Sequence, residues 1–234
     1  MSSFSLIPYQ VQYAVKYYRI YLRGVNSVPE SDEAKIWNSY YNSQPMGWRG
    51  ESSLPVEIPP RSRVLDVGCG NGKTLISLTG KGLRLNGIDI SSTAVQRCRG
   101  RLGKEAEIIV GDMRNMPYEN ASFEFVLAVH SLNHLSTPCR KEAADEIARL
   151  LAAGGTVFIR SFDKDDMRCG LGHETEPMTF MRGNGVMYHF FTVDEIKELF
   201  PSLRLLDAKQ HQSIKRYHCS ERRRSWLDVT LASF

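Results

Sequence analysis

The 234-residue sequence contains no C-x-x-C pair, no internal repeat, no low-complexity segment and no long apolar run. Its five cysteines, Cys69, Cys98, Cys139, Cys169 and Cys219, are odd in number and scattered. That argues against a disulfide framework and for a reducing compartment. Cys169, His173, His189, His211, His218 and Cys219 fall at spacings that fit no zinc pattern, so no metal is expected. No stretch approaches the roughly 18 apolar residues that would suggest a membrane span. The first residues lack a basic segment leading into an apolar run and a cleavage site. The chain is therefore expected to be cytoplasmic, with no membrane partner. A strong charge bias is missing too. The net charge of +4 permits an anionic ligand without demanding nucleic acid, which usually needs a clustered basic face.

What is present is an ordered alternation. Pro55, Pro59 and Pro60 make a rigid, non-helical stretch. It divides an N-terminal region, residues 1–60, from a domain over residues 61–234. In the first region Tyr13–Leu22 and Glu33–Tyr41 carry aromatic and aliphatic residues at helical spacing, the second capped by Ser31 or Asp32. These helices are expected to form a cap. From residue 61 onward, short apolar runs at 63–67, 84–89, 106–110, 123–129 and 155–161 alternate with helix-like segments at 73–81, 92–102 and 140–152. Continuous apolar strands separated by helices indicate a parallel sheet covered on both faces. An irregular insertion at 163–190 precedes a helix from Thr192 to Phe200, with Thr192 and Glu195 as a capping box and Pro201 as its stop. Two last strands, Leu203–Ala208 and Trp226–Phe234, joined by a polar segment, are expected to pair as an antiparallel edge hairpin. The fold class is thus α/β, a Rossmann-like seven-stranded, mostly parallel sheet with helices on both faces.

The informative motif is Val64-Leu65-Asp66-Val67-Gly68-Cys69-Gly70-Asn71-Gly72-Lys73. An apolar strand runs into three glycines and then a helix, which leaves backbone N–H groups open to a ligand. The dinucleotide pattern G-x-G-x-x-G would put its third glycine at Lys73, so the alternate-position glycines here differ from it. Asp89 ends the second strand 21 positions after Gly68, where a carboxylate can hold both hydroxyls of a ribose. Asp112 follows the third strand, where it can accept from an adenine amino group, with Ile90 and Met113 as apolar walls.

Together these segments, with Gly87–Ser91, Gly111–Met113 and Leu150–Val157, resemble the ordered motifs of the class I S-adenosylmethionine-dependent methyltransferases. The resemblance covers residues 61–161 well and the rest of the sheet loosely. It implies S-adenosylmethionine as cofactor and S-adenosylhomocysteine as product. It further implies that Asp66, Gly68, Cys69 and Gly70 hold the methionyl end, Asp89 the ribose, and Asp112, Met113 and Ile90 the adenine, with Val129 beside them. Where many relatives carry Lys-Pro-Gly-Gly before the fifth strand, this chain has Ala152-Ala153-Gly154-Gly155.

Methyl transfer from a sulfonium mainly requires an acceptor held in line and, for some acceptors, a base. In this fold the tip of the fourth strand faces the methyl group, and here it carries His130 and His134. Either is a candidate base; lining the pocket is the alternative role. Trp37 and Tyr41 on the cap, Arg160 after the fifth strand, and Arg182 and Tyr188 in the insertion are candidates for holding the acceptor. Trp48 is a further candidate to touch a ligand and Asp163 to face the acceptor, while Arg160 and Asp163 equally suit an ion pair and Tyr17, Tyr18 and Tyr21 suit a buried aromatic face. The Asn/Asp-Pro-Pro-Tyr tetrad of amino methyltransferases is absent, since His134 follows Asn133. An exocyclic base nitrogen is therefore not the expected acceptor. Modest charge and a capped single domain favour a small molecule. RNA stays open through the basic segment Lys215–Arg224, with Tyr217 and Trp226 for stacking. A loose resemblance to the methyltransferases that finish wobble uridines in tRNA points the same way. Decoration of an exposed sheet edge explains the same arginines. The third class is a protein that binds the cofactor without turning it over. The pattern gives no oligomeric state.

Overall fold

The computed structural model of the protein describes residues 31–44, 54–217 and 220–234. The Tyr13–Leu22 segment, Trp48 and Cys219 lie outside these. Residues Glu33–Phe234 form one compact unit. Its main sheet contains β1 (Arg63–Val67), β2 (Arg84–Asp89), β3 (Ala106–Val110), β4 (Phe123–Val129), β5 (Leu151–Phe162), β9 (Arg204–Tyr217) and β10 (Ser220–Ala232). The helices are α1 (Asp32–Ser43), α2 (Lys73–Ile76), α3 (Ser92–Leu102), α4 (Thr137–Leu150) and α5 (Val193–Leu199).

The seven strands run in the order β3-β2-β1-β4-β5-β10-β9, parallel from β3 to β5. β10 is antiparallel to both of its neighbours. Side chains alternate across the sheet, and both faces are apolar. In β1, Val64 packs with α2 and α3 residues Leu75, Val95 and Cys98, while Leu65 packs with α4 residues Ala143 and Ile147. Phe125 and Leu127 of β4 take the first side, Val126 and Ala128 the second. Two cores that draw on successive residues explain why these strands read as unbroken apolar runs. Because β2 and β3 lie to one side of β1 and β4 and β5 to the other, the sheet has a switch point between β1 and β4. A crevice opens there at the carboxyl ends of the strands.

Three expected elements differ. The first helix after β1 covers only Lys73–Ile76, not 73–81. The Ser77 and Thr79 hydroxyls bond back to the Thr74 and Ile76 carbonyls, and Gly80 takes a positive φ, so the chain turns away. The segment expected at 140–152 starts earlier, at Thr137 with Pro138 in its first turn, and passes directly into β5 at Leu151. The terminal strands are far longer than expected, and the polar segment between them is itself strand. The insertion at 163–190 contains a small antiparallel sheet of β6 (His173–Glu176), β7 (Thr179–Met181) and β8 (Met187–His189). Among the described residues, no helix is long and apolar enough to cross a membrane.

Candidate active site

At the switch point lies a cavity of about 380 Å³. One end is built by the loops after β1, β2 and β3. Gly68 and Gly70 take φ values of +73° and +54°, a region that favours glycine. A Cβ at Gly68 would stand 2.6 Å from the Ser131 Cβ, and one at Gly70 would run into the Tyr41 hydroxyl. The loop can approach a ligand only because these side chains are missing. The Asp89 carboxylate fastens it, accepting from the Gly70 N–H at 2.8 Å and from the Ser91 N–H at 2.8 Å.

The acids at this end suit a cationic ligand. Asp66 is buried, and burial together with the nearby Asp89 lifts its pKa to about 7. Burial lifts Asp89 to about 6, against the lowering effect of the Ser91 and Gly70 N–H groups. Among the described residues no cation pairs with either acid. A sulfonium and an ammonium would supply the missing positive charge, so the residues present fit S-adenosylmethionine. Asp112 stands in the same wall, forked by Arg114 at 3.0 and 2.9 Å through Nε. All nine residues expected at the cofactor line this cavity: Asp66, Gly68, Cys69, Gly70, Asp89, Ile90, Asp112, Met113 and Val129.

α1 passes over the opening. Its Asn38 Oδ1 accepts from the Ser91 hydroxyl at 2.6 Å and the Thr93 N–H at 3.1 Å, which docks the helix on the start of α3. That docking brings Trp37 and Tyr41 into the wall.

The other end of the cavity holds the two histidines. His134 lies in a short 3-10 turn, Leu132–His134, with ring centroids 4.9 Å from both Trp37 and Tyr188. Its Nδ1 is 2.6 Å from the Met187 carbonyl oxygen. A carbonyl only accepts, so Nδ1 carries the proton and Nε2 keeps its lone pair. Burial drops the pKa of His134 to about 4. The ring is thus neutral and presents an acceptor nitrogen. His130 adopts a φ of +56° and stacks on Phe162 at 4.4 Å. Burial, then Arg168 and Arg160, hold its pKa well below the usual value, and its Nδ1 is buried without a hydrogen-bond partner.

The remaining candidates separate. Arg160 reaches the wall, but Asp228 of β10 holds it through Nε and Nη2 at 2.6 Å each. Asp163 accepts from the Ser225 hydroxyl at 2.6 Å, so it anchors β10 and faces no acceptor. Tyr188 and Arg182 stand one layer back. The Arg182 guanidinium lies over the Tyr188 ring at 4.9 Å and donates to the Arg168 carbonyl, and neither residue lines the cavity. Sequence reasoning missed Arg168, whose guanidinium sits 3.8 Å above the Phe162 ring. It also missed Lys73, Ser131 and Leu135 as cavity residues, and it set aside Lys215 and Arg224, both of which line the wall. No linear signal marks Arg168; the segment's glycines suggest only a loop. Among the described residues, no group of three or more His, Cys, Asp or Glu could hold a metal.

Comparison with known proteins fits this geometry. Residues 64–155 match a family model described as a methyltransferase domain. The chain is 31% identical over 150 residues to the tRNA (carboxymethyluridine(34)-5-O)-methyltransferase of Arabidopsis thaliana, covering 59% of this chain and 35% of that protein. It is 34% identical over 117 residues to the ajmaline N-methyltransferase of Rauvolfia serpentina, covering 47% and 39%. The matches thus span little more than a third of the length of these curated relatives. In fold it is similar to a SAM-dependent methyltransferase from Methanosarcina mazei, with a TM-score of 0.67 at 19% identity, over 78% of this chain and 99% of that one.

Proposed function

We propose that this chain, a class I S-adenosylmethionine-dependent methyltransferase, methylates a small-molecule acceptor seated against His134, His130, Trp37 and Phe162, and that it works in the cytoplasm. The observation that carries the reading is the continuity of one cavity from the glycine loop to these four side chains. Its volume of about 380 Å³ lies at the compact end of ligand pockets.

The cofactor supplies a methyl group already activated on a sulfonium. Asp66, Gly68 and Gly70 would hold its methionyl end, Asp89 its ribose, and Asp112 with Met113 its adenine. The chain's remaining work is to position the acceptor and exclude water. Trp37, on the docked helix, and Phe162 bound the acceptor end with apolar surface. His134 Nε2, left as the open ring nitrogen by the Nδ1 bond to Met187 and kept unprotonated by burial, can take a proton from the acceptor atom. The relatives divide over the acceptor: one acts on a tRNA carboxymethyluridine, the other on ajmaline. The small-molecule reading rests on the compact volume of the site.

Calorimetric titration with S-adenosylmethionine, S-adenosylhomocysteine and NAD tests the cofactor; both sulfur ligands should bind at micromolar Kd and NAD should not. Incubation with methyl-tritiated cofactor then tests the acceptor, comparing a small-molecule extract with bulk tRNA. Label in the small-molecule fraction is the expected result, and label confined to tRNA would replace that acceptor class.

His134→Ala should lower kcat by about 100-fold, the low end for a lost general base, with cofactor Kd within twofold of wild type. A kcat drop of only twofold would reduce His134 to lining. Because the base works unprotonated and its pKa sits near 4, kcat should stay flat from pH 5.5 to 7.5 and fall only below that. An acid limb centred at the ordinary histidine value of about 6.5 would contradict the assignment.

A further inference from the structure

The cavity carries more positive charge than the methyltransferase reading requires. Lys73, Arg160, Arg168, Lys215 and Arg224 all line it. Three of them have acids. Arg160 forks Asp228, and the buried Asp166 accepts from Arg168 Nε at 2.6 Å and Arg224 Nε at 3.0 Å. Lys73 and Lys215 have no acidic partner among the described residues.

Lys215 reaches this wall through strand register. It stands opposite Arg222, and Ser213 opposite Arg224. Directly opposed residues share a face and alternate residues repeat it, so Lys215, Arg222 and Arg224 point one way and Arg216 and Arg223 the other. The basic run is therefore sorted, with one side delivered to the cavity. Lys73 comes from the end of the glycine loop. Its ammonium is held below the ordinary lysine value by burial first, and then by Lys215 and Arg160. Like charges are thus gathered at one wall, with Lys73 half-buried and Lys215 exposed, an arrangement that is unfavourable until an anion joins it. In the same wall the His130 Nδ1 and Ser131 Oγ are buried and without hydrogen-bond partners. The cofactor's own carboxylate is the competing claimant for this charge.

We propose that the methyl acceptor is a small molecule bearing an anionic group, a carboxylate or a phosphate ester, that docks against Lys73 and Lys215 beside the braced Arg168 and Arg224. The inference rests on the methyltransferase reading above. Arg168 and Arg224, fixed by Asp166, shape the anion's seat, while the two lysines complete its charge. The acceptor's body then lies toward Phe162, and its reacting atom toward His134.

The test uses the full chain, methyl-tritiated S-adenosylmethionine and a small-molecule extract passed over an anion exchanger at pH 8. Acceptor activity should be retained and elute with salt; phosphatase treatment that abolishes it identifies a phosphate ester, and survival a carboxylate. With that fraction, Lys73→Gln and Lys215→Gln should each raise KM about tenfold, the cost of one charge-assisted contact. S-adenosylhomocysteine Kd should stay within twofold, and Lys215→Arg should restore KM. Acceptor activity in the flow-through overturns the anion. Lysine variants that weaken S-adenosylhomocysteine binding while sparing KM overturn it too, by assigning the charge to the cofactor. Label appearing only in tRNA overturns the small-molecule form. Failure of the underlying reading looks different: wild-type protein would then bind no sulfur ligand or label no fraction at all.

Discussion

Asp89→Ala is expected to weaken S-adenosylhomocysteine binding by at least about 100-fold, with secondary structure intact. Charge-assisted hydrogen bonds contribute roughly 1.5–3 kcal/mol each, so a carboxylate that holds two ribose hydroxyls accounts for a loss of that size. Beside its proposed contact with the ribose, the residue has a structural part. Its two oxygens also accept from the Gly70 and Ser91 N–H groups at 2.8 Å, so it ties the glycine loop to the start of α3. Removing it deletes a ligand contact and loosens the cradle in one step. Asp89→Asn separates the two roles. The amide keeps one acceptor oxygen but turns an N–H₂ toward either Gly70 N–H or Ser91 N–H, where donor would meet donor. Its affinity should fall nearly as far.

The same carboxylate gives a pH signature. Burial raises its pKa to about 6, and the ligand-binding form is the ionised one. With Asp66 at about 7 in the same site, wild-type affinity should begin to decline as the pH falls through 7 and drop further as it falls through 6. Calorimetry across pH 5.5–8 reads this directly. Wild-type affinity in Asp89→Ala would remove the ribose assignment.

The parts of the fold visible in the sequence were those where local chemistry and burial agree. Val64 and Leu65 feed opposite cores, so β1 reads as one apolar run, and Gly68, Gly70 and Gly72 all take positive φ. Asp89 and Asp112 follow their strands at positions that need only counting. The hairpin was less legible, for a physical reason. Lys209-Gln210-His211-Gln212-Ser213 is polar on both faces, so no period-2 apolar pattern marks it as strand. Ladder hydrogen bonds and ion pairs hold it instead, Arg160–Asp228 and Arg224–Asp166 among them. Those partners lie 58 to 68 positions apart. The same gap hid Arg168. Its place over Phe162 depends on a carboxylate two residues away that also binds β10, a relation no linear spacing expresses. The helix read as 73–81 failed in the opposite direction, since side-chain hydroxyls and Gly80 ended it after four residues.

That carboxylate carries the second large effect: Asp166→Ala should lower Tm by about 10 °C and raise the acceptor KM, leaving cofactor affinity unchanged. The Asp166 side chain is 1% exposed and accepts from Arg168 Nε, Arg224 Nε, the Arg168 N–H and the Ser225 N–H. Burial by itself would raise its pKa, but the two guanidiniums and the Ser225 N–H outweigh burial and hold it below the ordinary value. Losing one partner of a buried ion pair costs about 3–5 kcal/mol, because the charges left behind are uncompensated. For a domain of this size each kcal/mol shifts Tm by about 2–4 °C. The acceptor effect follows from position. Without Asp166, Arg168 and Arg224 both lose the carboxylate that braces them, so two cations beside the proposed anion seat lose their fixed geometry. Among the described residues the partners of the Asp89 carboxylate, Gly70 and Ser91, are separate from those of Asp166, which is why cofactor affinity should hold. Scanning calorimetry and acceptor kinetics on the same preparation separate the two consequences. A Tm shift under 2 °C would mean that the β9–β10 ladder holds the hairpin without the ion cluster. A large shift with unchanged KM would confine Asp166 to stability and detach the two arginines from acceptor binding.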